Sequence, residues 1–465
     1  MDAPKRARVL NRNRSADPSQ PQRGEKQIVI PMTREQFEQS WRDSSKMRKI
    51  VDRIMAEYPE LFPPCLLDGY AFHGFARPSK KLDGMQLRKI RPSGGTEAFH
   101  LRPCFVMSYM TATTDEIEYP LQLASFGVPC WLLTQGFGHS DMYWHRLVER
   151  LGRNSLVGTT VRDPKRLPEH LAADEHHVDW NGAKGYVATT AAAGCILGVG
   201  LTKAADDEHL TAAYGEFAEE ARNLNPEYAP KTVNTDGWAA TQNAFQAEWH
   251  VDIENSVTLA KVGSYLLFPV STKNAYLRAI PFQACFSSIV VILCFLHGFL
   301  KIRDRSRKNH ELHRAVWEVY WAKTAEEFRS RMEAFRTWFE SQTWTTSVRE
   351  MAAKLWKRTE EYAVAYDHPG CRRTSNAVDR PMNRMHRLAY AGRGLHGHQA
   401  GSQRRLRGWA LLLNFRPFAK RSGKVREHES PAHRMSGKRY CEGWLENLQV
   451  SASLMGRRKP SPAIR

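Results

Sequence analysis

Between residues 171 and 237 the chain reads as a small sheet with a single crossover. Residues 171–174, Leu-Ala-Ala-Asp, read as the end of a strand, and residues 185–190 and 194–201 as two further strands joined by small residues. Residues 208–224 are amphipathic, with Leu210, Ala213, Tyr214, Phe217 and Ala221 on one helical face. Residues 231–236 form a fourth strand edge, which ends on Asp236-Gly237. Strands joined by tight turns run antiparallel, whereas a helix before the next strand allows it to return parallel. The expected product is an α/β sheet with acids at the ends of its first and fourth strands.

The surrounding composition is that of a globular protein. The 465 residues are 42% hydrophobic and 25% charged, which excludes a wholly disordered, collagenous or multi-span membrane protein. At roughly 150 residues per domain, about three domains are expected. Lys and Arg number 68 against 49 Asp and Glu, a net charge of +19, so a polyanionic partner is expected, nucleic acid before an anionic membrane surface. Eight scattered cysteines never form C-x-x-C, which reads as reduced thiols rather than a disulfide scaffold or zinc ribbon. Residues 1–26 carry seven basic residues and no apolar core, so they read as a disordered basic arm and not a secretory signal.

One stretch bears on the membrane question. Residues 279–300 carry no formal charge and precede a basic run. They also contain Pro281, Gln283, Ser287, Ser288, His297 and Gly298, and their most apolar part, residues 289–293, is short and β-branched. That pattern predicts a buried strand. No membrane partner is expected, and the reduced thiols point to a cytoplasmic location.

On either side of the α/β stretch the periodicity is helical or mixed. Residues 34–60 predict a helix and residues 69–109 a small antiparallel sheet. Around residue 121 a helix approaches a Gly136-Phe-Gly138 turn, and residues 142–151 form a second. Such a pair fits a helix-turn-helix, with His145, Arg146 and Arg150 available for phosphates or base edges. Ordinary helical-hairpin packing is the competing reading. Residues 27–160 are thus expected to form an α+β DNA-binding region. Residues 301–370 predict an all-α domain, where Thr324 and Glu327 make a capping-box pair and Ala325, Phe328, Met332, Phe335 and Phe339 form one stripe. Val348, Ala352, Leu355, Tyr362 and Tyr366 form another, and the tryptophans at 317, 321, 338, 344 and 356 fit core packing better than base stacking. Residues 417–465 read as a basic, largely disordered tail.

Three acids stand out by context: Asp174, Asp236 and Asp379, the last in Arg373-Thr-Ser-Asn-Ala-Val-Asp-Arg380. Phosphoryl transfer without a covalent intermediate uses two divalent cations about 3.5–4 Å apart. Mg²⁺ takes a few carboxylates and keeps several waters, so three acids from distant segments are enough.

With Thr235-Asp236-Gly237, Cys294-Phe-Leu-His297 and residues 373–380 in that order, the chain resembles the bacterial Mutator-like insertion-sequence transposases from about residue 110 to 415. The resemblance implies an RNase H-like catalytic core, residues 168–300 and 371–416, interrupted by the helical insertion. It implies that Asp174, Asp236 and Asp379 hold two Mg²⁺ or Mn²⁺ ions. His297 would lie near the site, supported by Cys294, and Asn376 would orient the third acid or cap its helix. The family usually carries Glu where this chain has Asp379, which leaves Glu360 and Glu361 as alternatives. Residues 248–284, flanked by Phe245-Gln-Ala and Phe282-Gln-Ala, would be an extra insertion. The implied activity is metal-dependent cleavage and strand transfer at element ends on double-stranded DNA, by a homodimer or higher oligomer. Arg372, Arg373, Arg380, Arg384 and Arg387 would meet phosphates. The alternative is a catalytically degenerate, transposase-derived DNA-binding protein.

Overall fold

The computed structural model describes residues 26–249, 289–307, 309–419 and 429–456. The expected arm up to residue 25, nearly all of the expected insertion 248–284 and the end of the tail lie outside the described residues. The chain divides into two units, one made of the first 113 residues with the segment from Ser453 onward, the other running from Thr114 to Ala452.

In the first unit, strands β1 (Gln27–Ile30), β2 (Tyr70–Phe75), β3 (Arg88–Pro92) and β4 (Phe99–Pro103) form a sheet in the order β1-β4-β3-β2. The expected antiparallel meander is β2-β3-β4, and β1 adds to it in parallel on β4. The expected single helix is two, α1 (Arg34–Ser40) and α2 (Ser44–Glu57), followed by the one-turn α3 (Pro64–Leu67). The break falls at Asp43, whose carboxylate accepts the N–H groups of Ser45 (2.9 Å) and Lys46 (3.1 Å) and so starts α2 afresh.

The second unit opens with α4 (Thr114–Ala124), α5 (Cys130–Phe137), α6 (Asp141–Leu151) and α7 (Leu156–Thr160). Strands β5 (His170–Trp180), β6 (Ala183–Ala192) and β7 (Cys195–Thr202) then form a meander. It is followed by α8 (Asp207–Leu224), β8 (Thr232–Thr235), α9 (Ala239–Glu248) and β9 (Val290–Leu293). The sheet is ordered β7-β6-β5-β8-β9, antiparallel from β7 to β5 and parallel from β5 to β9. The uncharged run after residue 289 is the short strand β9, as its β-branched character predicts, and among the described residues no helix is long and apolar enough to cross a membrane. One expectation changes here. Asp174 does not end its strand, because β5 continues to Trp180 by pairing with β6; only its parallel pairing with β8 stops, at Ala172.

Leu210, Tyr214, Phe217 and Ala221 of α8 are buried against the sheet, on the face the sequence assigned to them. The helical domain follows as α10 (Phe295–Ser306), α11 (His310–Tyr320), α12 (Ala325–Glu340), α13 (Thr346–Lys357) and α14 (Thr359–Ala363). Thr324 caps α12 by accepting the Glu327 N–H (3.1 Å), and the five expected stripe residues of α12 are its buried ones. Trp317, Trp338, Trp344 and Trp356 pack on that core, while Trp321 is exposed. Finally α15 (Asn376–Ala391) and α16 (Gln399–Phe415) complete the sheet's layers, with α17 (Pro431–Ser436) and α18 (Trp444–Ser451) after them.

Two boundaries are corrected. Helices α4 to α7 belong to the larger unit and not with the N-terminal sheet, because α6 buries Trp144, Leu147, Val148 and Leu151 and crosses α16 at close range. A Cβ on Gly408 would collide with the Val148 carbonyl and one on Gly152 with the Arg404 carbonyl, so the crossing requires glycine at both points. The expected loose tail also contains helices α17 and α18, since Trp444, Leu445, Leu448 and Val450 recur at helical spacing and are buried.

The start of α18 carries a titration handle. Glu118 of α4 accepts the N–H groups of Trp444 and Leu445, yet burial, with Glu446 and Asp115 nearby, pushes its carboxyl up to about 7. A carboxyl whose folded value is raised favours the native state below its ordinary value near 4.5, and that advantage is lost as pH rises toward 7. Glu118→Gln is therefore expected to be neutral at pH 4.5 and to stabilise this unit at pH 8. After discounting for solvent screening the gain is about 1 kcal/mol. Thermal unfolding at the two pH values measures it, and an equal offset at both would exclude the carboxyl as its source.

Candidate active site

The parallel register sets the site. Ala172 of β5 faces Asn234 of β8, so two residues further along each chain Asp174 comes opposite Asp236. The first two acids of the expected trio, 62 residues apart in sequence, therefore meet at the end of the parallel pairing. Glu175 joins them: ligand oxygens of Asp174, Glu175 and Asp236 all lie within 4.8 Å of one another.

Each acid is held by local chemistry. Asp174 Oδ1 accepts the Glu175 N–H and Asp236 Oδ1 accepts the Trp238 N–H, both at 2.8 Å. Gly237, between Asp236 and Trp238, has φ +95°, and a side chain there would press on Leu293 and the Arg358 guanidinium. Glu175 Oε1 accepts Thr241 Oγ1 at 2.6 Å and also the Tyr214 hydroxyl, groups supplied by α9 and α8. Burial, then the neighbouring Asp236 and Glu175 carboxylates, push the Asp174 carboxyl up to about 7. Burial likewise raises Glu175 above the ordinary carboxyl range.

His297, in the first turns of α10, lies beside these acids. A hydrogen bond to Cys294 and the nearby Asp174 and Asp236 carboxylates outweigh burial and push its imidazole up to about 9. The Cys294 sulfur also accepts the Ser375 N–H (3.0 Å), which ties the end of β9 to the start of α15. The expected neighbourhood of Cys294 and His297 is thus present.

Asp379 is placed differently. It sits in the first turn of α15, outside the 4.8 Å set, and Ser375 Oγ donates to its Oδ2 at 2.9 Å. Val378 and Met382 of α15 pack on Ala172, which shares a face of β5 with Asp174, so Asp379 belongs to the helix covering that face. Asn376 neither orients Asp379 nor caps the helix: it is exposed at the first helical position, and Ser375 contacts the acid. The alternatives are engaged elsewhere, Glu360 with Arg329 (2.8 Å) and Glu361 with Arg358 (2.6 Å).

The basic candidates separate into two groups. Arg380, Arg384 and Arg387 lie along one side of α15, exposed like Arg372, and no carboxylate pairs with them among the described residues. Arg373 is committed to the fold: it donates to the carbonyls of Tyr320 (2.9 Å) and Ala322 (3.1 Å) and stacks on Tyr320 and Tyr366. On α6, Arg146 is exposed and Arg150 half-buried. His145 is half-buried too, 3.9 Å from Glu149, and burial with Arg405 nearby lowers its imidazole.

Sequence reasoning singled out Asp174 and not Glu175 beside it, and it passed over Tyr214 and Thr241 as supports. The signal was present in the adjacent acids of β5, but which one faces Asp236 depends on strand pairing. No protein-family model and no curated protein matches this chain.

Proposed function

We propose that the chain is a DNA transposase with an RNase H-like core, residues 168–300 and 371–416, and that it cuts a phosphodiester at an element end and joins the freed 3′-hydroxyl to target DNA. The observation that carries this reading is the meeting of Asp174, Glu175 and Asp236 at the parallel edge of a β7-β6-β5-β8-β9 sheet. The donor set fits hard divalent cations: it is all carboxylate, and burial, then the neighbouring Asp236 and Glu175 carboxylates, raise the Asp174 carboxyl, a penalty on its charge that a bound cation would relieve. Two Mg²⁺ or Mn²⁺ ions held there would supply an activated water and neutralise charge on the phosphate.

The chain's own residues then divide the work. Asp174 and Asp236 hold the site from adjacent strands, and Asp379, outside that cluster, would join them as a third ligand from α15, the helix that packs on Ala172. Glu175, fixed by Tyr214 and Thr241, positions the shared edge. Arg380, Arg384 and Arg387 of α15 take backbone phosphates of the duplex. Helices α5 and α6 act as a helix-turn-helix, with Arg146 on its outer side. A homodimer holds both element ends.

The test is nicking of supercoiled DNA by the purified full chain. Nicks that need Mg²⁺ or Mn²⁺ and vanish with EDTA are expected. Salt-sensitive DNA binding with no nicks under either metal would leave the degenerate DNA-binding protein as the correct reading.

A further inference from the structure

Beside Asp236 a cavity of about 260 Å³ opens between the catalytic sheet and the helical domain. Asp236 and His297 line one end, and Lys301 of α10 with Lys354, Lys357 and Arg358 from α13 and its C-terminus line the rest. We propose that this cavity is a binding site for the sugar–phosphate backbone of a single DNA strand, the one that leads into the acid cluster.

Three observations converge on that ligand. The lysines are exposed and have no carboxylate partner among the described residues, so their charge is available. Lys354, Lys357 and Arg358 fall at spacings of three and four residues, on one side of the helix and its end, and Lys301 faces the same space from α10. The positive charge is therefore spread along a wall rather than focused on one point. Met351, Leu355 and Tyr362 give the cavity an apolar floor, which suits a deoxyribose and not a polyphosphate. Arg358 is tied to Glu361 and stands against Gly237, so it fixes the junction between wall and acids.

Charge polarity and size restrict the occupant further. An anion is drawn to the lysines and repelled by Asp236, so a lone phosphate would settle away from the acids. A strand can place one phosphate on the wall and the next at the acid cluster. The volume falls below the roughly 300–1,000 Å³ of drug-sized pockets, which admits a stretch of one strand but no base pair. The approach of α10 to α13 depends on Gly298, where a Cβ would lie 2.7 Å from Leu355 Cδ1 and 2.8 Å from the Tyr362 hydroxyl.

This inference rests on the transposase reading for its ligand but is tested separately from cleavage. Binding of a fluorescent oligothymidylate to the full chain is measured in EDTA across a salt series, while nicking with Mg²⁺ is followed in parallel. Each lysine that neutralises a single-strand phosphate contributes about 0.7 to the slope of log K against log salt. The triple variant Lys301→Ala, Lys354→Ala, Lys357→Ala is expected to lower that slope by about 2, and Lys354→Glu to weaken binding further than Lys354→Ala. An unchanged slope in a triple variant with wild-type melting overturns the cavity assignment, even if the protein nicks DNA. Absence of salt-dependent binding by the wild type overturns it too. A lowered slope with no nicking under any metal upholds the cavity and refutes only the nuclease.

Discussion

Asp236→Asn is expected to reduce metal-dependent nicking by at least about a thousandfold while leaving DNA binding within a fewfold of wild type. The substitution keeps the shape of the side chain and its turn with Trp238, but removes the negative charge that faces Asp174 across the parallel pair. Charge stabilisation by bound metal is worth several kcal/mol in the transition state, and each 1.36 kcal/mol is tenfold in rate. Asp174→Asn should match it, because the two oxygens share one cluster. Glu175→Gln should fall between these and wild type, since Tyr214 and Thr241 can still hydrogen-bond the amide oxygen. Asp379→Asn separates two roles. A loss equal to that of Asp236→Asn makes it the third ligand, and little change makes its bond to Ser375 structural. Single-turnover cleavage of an end-labelled duplex, with anisotropy for binding, measures all four. Wild-type cleavage by Asp236→Asn would sink the assignment of this edge as the catalytic site.

What could be read in the chain depended on whether the determining interaction is local. The stripe of α12 was legible because a helix repeats every 3.6 residues and Thr324 marks its start. The meander β5 to β7 and the strand β9 were legible for a similar reason, as short apolar runs between small residues. The length of β5 was not, because His176, His177 and Asp179 look like loop residues until β6 pairs with them. Glu175 was overlooked on the same ground: alternation sends neighbouring side chains to opposite faces, and only where β8 stops pairing can both acids reach Asp236. Arg373 was assigned to phosphates from its basic surroundings, whereas two tyrosines and two carbonyls from the helical domain claim it. The basic wall of Lys301, Lys354 and Lys357 has no signature at all in sequence, since 53 residues separate its first two members and only the packing of α13 on α10 joins them.

Arg407→Met is expected to destabilise the larger unit by about 2–3 kcal/mol, the cost of leaving the largely buried Glu220 without its cation, with the half-exposed Glu216 discounted for screening by water. The Arg407 side chain of α16 is 12% exposed and reaches four groups at once. It donates to the carbonyls of Gly152 (3.1 Å) and Asn154 (2.9 Å), to Glu216 Oε2 (3.1 Å) and to Glu220. Glu220 in turn accepts Ser155 Oγ (2.9 Å) and the Val157 N–H (3.0 Å), so the same cation supports the start of α7. Methionine retains much of the apolar stem, which isolates the loss of charge and hydrogen bonds from the loss of packing. Lysine should recover only part of the stability, because one ammonium cannot match a planar fork that serves four acceptors. The sign of the pH dependence follows. Burial already holds the Glu216 carboxyl above its ordinary range against the pull of Arg407, so without that cation the variant's deficit should be small near pH 4.5 and grow as pH rises and the unfolded chain ionises first. Adding Glu216→Gln to Arg407→Met should return part of the deficit at pH 8 and little of it at pH 4.5. Urea unfolding of the four forms of this cycle gives the coupling directly. A deficit under about 1 kcal/mol at pH 8, or one independent of pH, would mean that water reaches these carboxylates and the network contributes no more than a surface pair.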